Sequence, residues 1–409
     1  MTDRPDSPAR PQQAERLWTR EFFAMVAVRF FGAFGLNAYV AIMALYAMQR
    51  FSVGEALAGV ASGIFVIGAM VGRFFIGKYT EVIGRDRLLR VSAVAFFVTS
   101  LPYLLSPEIL GIGGLIAVRF LHGVANGVMG NTSTTCATDF IPRSRLGEGL
   151  GYYALGTSVA LAVGPMTALW LVHTVGYFAF FVVGSVFAGL CVPVVFSVHM
   201  RNVELTPEER DAILHRTSLG QYLDFKTLPL SLCMFFVCLC YSGVTAFLAP
   251  YTETLGVASL AGLYFTTYAL MLLVVRPFVG RLEDRRGENF VVYPCLVLQI
   301  VGYALLSRLG AFAGTVGILG IAVIMSLGQG CFFTALQALV MRDAPPQRMG
   351  VVTSTFFLFV DAGVGLGSGV FGSLIPHVGY AGMYFAAAAV VILIAILYTV
   401  NHARKASGR

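Results

Sequence analysis

The chain has 409 residues, of which 57% are hydrophobic and only 12% charged, and its mean hydropathy is +0.79. A soluble domain carries about a quarter charged residues, so this composition excludes an ordinary water-soluble fold. The net charge of +7 suggests a polyanion partner only until the positions of the basic residues are read, and those positions exclude nucleic acid as the reason for it.

In chain order, apolar runs of bilayer-spanning length recur between short polar segments. They predict spans over 22–46, 55–77, 90–106, 110–136, 149–172 and 177–198, then over 229–251, 258–279, 290–307, 314–340, 351–374 and 380–400. The expected organisation is an N-tail (1–21), a six-helix bundle (22–198), a polar linker (199–228), a second six-helix bundle (229–400) and a C-tail (401–409). Within the linker, Thr206 reads as an N-cap, Pro207 as the first helical residue and Glu209 as the return arm of a capping box.

Twenty-two of the 28 Lys and Arg lie in the two tails and in alternate loops, while the loops at 173–176 and 252–257 carry none. This asymmetry predicts a multi-pass cell-membrane protein, of the bacterial cytoplasmic membrane, with both termini cytoplasmic. The basic pI is then a matter of topology. All seven Cys fall inside predicted spans without metal-type spacing, which predicts small buried apolar residues and no metal site.

The second half repeats the first at a constant shift of 203 residues. Arg73 answers to Arg276, Gly77 to Gly280, Gly84 to Gly287, Pro142 to Pro345, Arg145 to Arg348 and Gly147 to Gly350, and the "GY" at 176–177 returns at 379–380. Two six-span halves of this kind are a transporter architecture, in which the halves rock around a site at the membrane midplane.

At these residues the sequence resembles the major facilitator superfamily, and in particular its twelve-span drug/proton antiporter-like efflux permeases. The family's loop motif reads Gly77, Glu81, Gly84 and Arg85 here, with Glu81 in the place of the usual Asp, and its second copy reads Gly280, Asp284, Arg285 and Gly287. The resemblance implies an all-α integral membrane fold of twelve helices in two pseudo-symmetric bundles. It implies a conformational latch in which Glu81 faces the start of span eleven near Gly350, with Arg85 and Asp139 beside it. Arg119 and His122 in "RFLHG" resemble the span-four element tied to proton transfer, and Gly164-Pro165 resembles the span-five element of drug/proton antiporters. Because spans one, four, seven and ten line the cavity in that family, Asn126, Tyr241 and Gln329 become candidate substrate contacts.

Ionisable groups deep in a span are costly and are functional by default. Arg119 falls ~14 Å into span four and Arg29 ~10 Å into span one, at 1.5 Å per residue. Arg29 either snorkels to the interface or faces the cavity, where it favours an anionic or zwitterionic substrate with Asn37 further along. Arg73 and Arg276 read as snorkelling charges at helix ends. Asp361 lies ~16 Å into span eleven, as a structural acid or a proton carrier. The Gly363, Gly365, Gly367 and Gly369 run, with Gly164 and Pro165 in the repeat, predicts close helix approach where the halves slide. The expected function is secondary active efflux of a small organic molecule such as a drug-like compound, sugar or metallophore. Efflux is driven by a proton gradient through alternating access, without a cofactor, and the protein acts as a monomer in lipid. Proton-coupled import is the alternative. A receptor or intramembrane enzyme is more remote, since no H-E-x-x-H, G-x-S-x-G or nucleotide-binding loop is present.

Overall fold

Inside a lipid layer backbone amides find no water, so apolar runs must close their hydrogen bonds within helices. The computed structural model describes residues 16–400 apart from 106, 201, 216, 217, 258 and 313, and its described residues form helices and connecting turns without a strand. The first half contains α1 (Arg20–Phe51), α2 (Glu55–Ile83), α3 (Arg85–Ser100), α4 (Pro107–Phe140), α5 (Leu146–Thr174) and α6 (Tyr177–Phe196). The linker holds α7 (Pro207–His215). The second half contains α8 (Leu228–Thr254), α9 (Ser259–Arg286), α10 (Glu288–Ser307), α11 (Thr315–Met325), α12 (Cys331–Arg342) and α13 (Met349–Tyr398). A π-turn at Ser326–Gly330 joins α11 to α12 into one crossing.

Eleven helical segments among the described residues are long and apolar enough to cross a membrane. The last of them, Pro346–Tyr398, has 53 residues, which at 1.5 Å each is ~80 Å and more than twice the ~30 Å hydrocarbon layer. Gly379, at φ 69° and ψ 177°, breaks α13 into two crossings, and so the count is twelve. The same break occurs 203 residues earlier at Gly176, with φ 110° and ψ 174°, between α5 and α6. A side chain at either position would be strained, because positive φ with extended ψ is open to glycine alone.

The expected linker helix is present, and its cap is reciprocal. Glu209 N donates to Thr206 Oγ1 at 3.2 Å and Thr206 N donates to Glu209 Oε2 at 2.9 Å. All seven Cys are buried and unbridged. Large apolar side chains point outward around the helices, among them Phe178 at 66% and Phe385 at 68% exposure. Such a girdle suits lipid and not water.

Two boundaries differ from expectation, with consequences for the site. Spans two and eight do not stop at residues 77 and 279, because α2 runs on to Ile83 and α9 to Arg286. The polar residues of both loop motifs stay helical until Gly84 and Gly287. Arg73 and Arg276 therefore lie ten residues, ~15 Å, from their helix ends. They are buried and do not snorkel.

The glycine run of span eleven also differs. Gly363 and Gly367 lie against the α8 backbone at Phe235 and Leu239, within the same half, whereas Gly365 and Gly369 face open space. Gly164 packs on α1 at Asn37 and Ala38. Gly363, Gly367 and Gly164 thus tighten each half and are not where the halves meet.

Candidate functional site

Contact between the halves runs along two seams related by the 203-residue shift, α2 with α13 and α5 with α9. Both are closed at the end of the molecule that carries the basic loops. In the first seam Arg85 grips Glu81 through two bonds of 2.8 Å, reaches Asp139 at 2.5 Å and donates to the Pro346 carbonyl at 2.8 Å. Glu81 Oε1 accepts from Gly350 N, at the first turn of α13, at 3.3 Å. A carboxylate at a helix N-terminus gains about 0.3–1 kcal/mol from the unpaired amides there. Thr135 on α4 meets Thr353 on α13 at 3.3 Å nearby.

The second seam repeats the device with one exchange. Asp284 accepts from Gly147 N at 3.0 Å and Glu148 N at 2.9 Å, at the start of α5. Glu288 and Arg342 stand 203 residues after Arg85 and Asp139, so acid and base have traded places. The pair survives, with Arg342 at 3.6 Å from Glu288 and 3.2 Å from Asp284. Arg281 bridges to Glu148 at 2.6 Å. Arg285, expected in this latch, is exposed and makes no ion pair among the described residues, so Arg281 and Arg342 hold the place expected for it. Gly77 lies against the Ser354 side chain, and Gly280 against the Gly147 backbone, so that both seams close tightly.

Deeper in the same seams stand the two arginines that the extended helices carry inward. Arg73 on α2 forms an ion pair with Asp361 on α13, across the two halves. Its main-chain carbonyl also accepts from Ser354 Oγ of α13. The shifted counterparts face each other as well. Arg276 on α9 donates to Ser158 Oγ at 2.6 Å and to the Ala154 carbonyl at 3.0 Å. One seam thus holds a charge pair at mid-depth, and the other an arginine satisfied by neutral oxygens.

Beside the Arg73–Asp361 pair lies a cavity of about 190 Å³, lined by residues of α1, α2, α4, α5, α12 and α13. Arg29, Asn37, Asn126 and Asp361, all expected from the sequence, line it, together with Arg73, Thr157, Phe333 and Phe357, which were not. Arg29 does not snorkel; its Nε donates to Thr157 Oγ1 at 2.7 Å. Asn126 Nδ2 donates to the Gly32 carbonyl at 3.2 Å, and Asn37 Nδ2 to the Ala33 carbonyl at 2.8 Å.

The other four candidates do not line this cavity. Arg119 is fully buried in the first half against the Ala61 and Ser62 carbonyls, at 3.1 and 2.8 Å. His122 packs among the rings of Phe65, Phe96, Tyr39 and Tyr103, with Nδ1 at 3.3 Å from the Tyr103 hydroxyl. Tyr241 stacks on Tyr268 at 5.3 Å, and Gln329 is buried in the π-turn. The repeat did hold a signal for Arg73, since its partner at the same shift is also an arginine. Reading span two as ending at residue 77 hid the depth of that arginine.

Twelve crossings, two half-to-half seams and a central cavity accompany a sequence that matches the Major Facilitator Superfamily over residues 25–368. The chain belongs to that superfamily. As a member it is a multi-pass membrane transporter of small molecules and not an enzyme. It is 23% identical over 350 residues to the staphylopine export protein of Staphylococcus aureus, across 83% of this chain and 85% of that one. It is 24% identical over 378 residues to the multidrug resistance protein MdtG of Klebsiella pneumoniae, across 89% of each. Among solved structures of the superfamily it is similar to a bacterial homologue of the iron transporter ferroportin in an outward-facing state. The TM-score is 0.77 at 18% identity, over 94% of this chain and 100% of that one.

Proposed function

We propose that this superfamily member is a secondary active exporter that moves a small organic molecule outward in exchange for protons. The observation that carries the reading is the Arg73–Asp361 ion pair, which joins the two halves at mid-depth beside the cavity. Protonating Asp361 removes one of the two charges that hold the α2–α13 seam at this depth. The charged groups facing Asp361 are Arg73 from α2 and, across the cavity, Arg29 from α1; α4 and α12 present Asn126, Ser133 and Phe333. Proton binding and seam opening are thereby coupled. The latches built on Glu81, Arg85 and Asp139 and on Asp284 and Arg342 close the basic end in this state and release when it opens. With that end cytoplasmic, the cavity in this state is reached from outside. The export direction is supported by the names of the relatives, an export protein and a multidrug resistance protein. The site is a bacterial cytoplasmic membrane and the working unit a monomer.

The test is a flux assay in proteoliposomes with an imposed pH gradient and a panel of substrates. Flux against a substrate gradient is expected when the outside is acidic, and Asp361→Asn is expected to lose it while retaining exchange. Flux indifferent to the pH gradient removes proton coupling, and flux only toward the basic side replaces export with import.

A further inference from the structure

The cavity walls carry two guanidiniums and one carboxylate. Arg29, Arg73 and Asp361 are the charged residues that line it. Asp361 answers Arg73 directly, which leaves Arg29 with a hydroxyl, Thr157 Oγ1, on its Nε and no acid partner among the described residues. A cation held at this depth without a counter-charge is costly. Aromatic faces offset only part of that cost. Arg29 lies 5.4 Å from the Phe357 ring centroid and 5.7 Å from that of Tyr153, and Arg73 is also 5.4 Å from the Phe357 centroid.

The two guanidiniums converge on one bare stretch of backbone. A Cβ built on Gly130 would sit 3.9 Å from Arg29 Nη1 and 3.9 Å from Arg73 Nη2, the nearest atoms outside its own stretch of helix. The absence of a side chain at 130 thus leaves a gap bordered by N–H donors from two helices. We infer that this cavity binds an amphipathic organic anion, its acid group in the gap over Gly130 between Arg29 and Arg73 and its apolar body against Phe333 and Phe357. Guanidinium forks match the planar or tripodal oxygens of carboxylates, sulfonates and phosphates. The anion completes the charge balance that Asp361 alone leaves short. The inference rests on the cavity being the transport site.

The experiment measures binding to the purified full chain in detergent by calorimetry, with three naphthalene probes: the 1-sulfonate, the neutral 1-methanol and the cationic 1-methylamine. The sulfonate keeps its charge across the working pH range. Saturable binding of the sulfonate alone is expected. Arg29→Gln should weaken it about tenfold or more, as loss of a charge-assisted contact does, while Arg29→Lys retains most of the affinity. Gly130→Leu fills the gap without removing a charge and should weaken binding to a similar extent. Equal binding of the alcohol or the amine overturns the inference. So does sulfonate binding unchanged in both Arg29→Gln and Gly130→Leu, and so does no saturable binding at all. Binding is read without a gradient, so a protein that selects the anion but shows no proton-driven flux loses the exporter reading and keeps this one.

Discussion

Arg73, which is buried, and Asp361, which is half-buried, stand on opposite halves and depend on each other, so removing either leaves its partner as an uncompensated charge. Breaking a buried pair from one side costs about 3–5 kcal/mol, whereas removing both charges is far milder. Arg73→Gln and Asp361→Asn are each expected to lower the thermal midpoint of the purified protein, and the double variant to recover most of the loss. Additive losses in the double variant would mean that the two residues do not interact. The pair was half legible in the sequence. An acid with no charged neighbour from Arg348 to Arg404 stands out in any reading, and its depth follows from counting residues. Its partner did not stand out, because an arginine four residues before a glycine-rich loop looks like an interfacial residue until the helix is known to continue through that loop. Arg119 and His122 show the converse. Their depth was legible, but depth does not say which face of α4 they occupy, and they point into the first half away from the cavity.

The helices and their repeat were the most legible features, because a 203-residue shift is a property of the sequence and apolar runs have one stable form in lipid. What the shift did not disclose is that equivalent positions exchange roles. Arg85–Asp139 on one side becomes Glu288–Arg342 on the other, a change that no motif comparison flags, since it lies one helix apart in each half. This exchange makes a direct test. Glu288→Arg and Arg342→Asp are each expected to depress transport by setting like charges together at the end of α9. The two combined rebuild the first-half arrangement in the second and should restore most of the flux, measured in proteoliposomes at matched protein content. The helix approach beside it gives another test. Gly280 sits against the Gly147 carbonyl, so Gly280→Val must push α5 and α9 apart at the basic end. Cysteine labelling of that end should rise in this variant, and the protein should still reach the membrane.

At the scale of the whole molecule, the arrangement is a lever with its closed end on the basic side. The latches, the Thr135–Thr353 contact and the close approaches at Gly77 and Gly280 all lie between the cavity and that end. A transporter that alternates must break all of them once per cycle, so a single covalent tie among them should stop the cycle without disturbing the cavity. Thr135 and Thr353 suit this, because their hydroxyl oxygens face each other at 3.3 Å across α4 and α13, and sulfur in the same positions is within reach of a disulfide. The seven native Cys are buried and are replaced first. In that background, oxidised Thr135→Cys/Thr353→Cys protein is expected to lose at least about tenfold in flux and to recover on reduction, a change that single-cysteine controls do not show. A cysteine at Asn37, on the cavity wall, should remain reactive from the side opposite the basic loops while the tie is in place. Full flux in the oxidised protein would mean that the α4–α13 contact never opens, and the proposed rocking of the two halves would have to be abandoned.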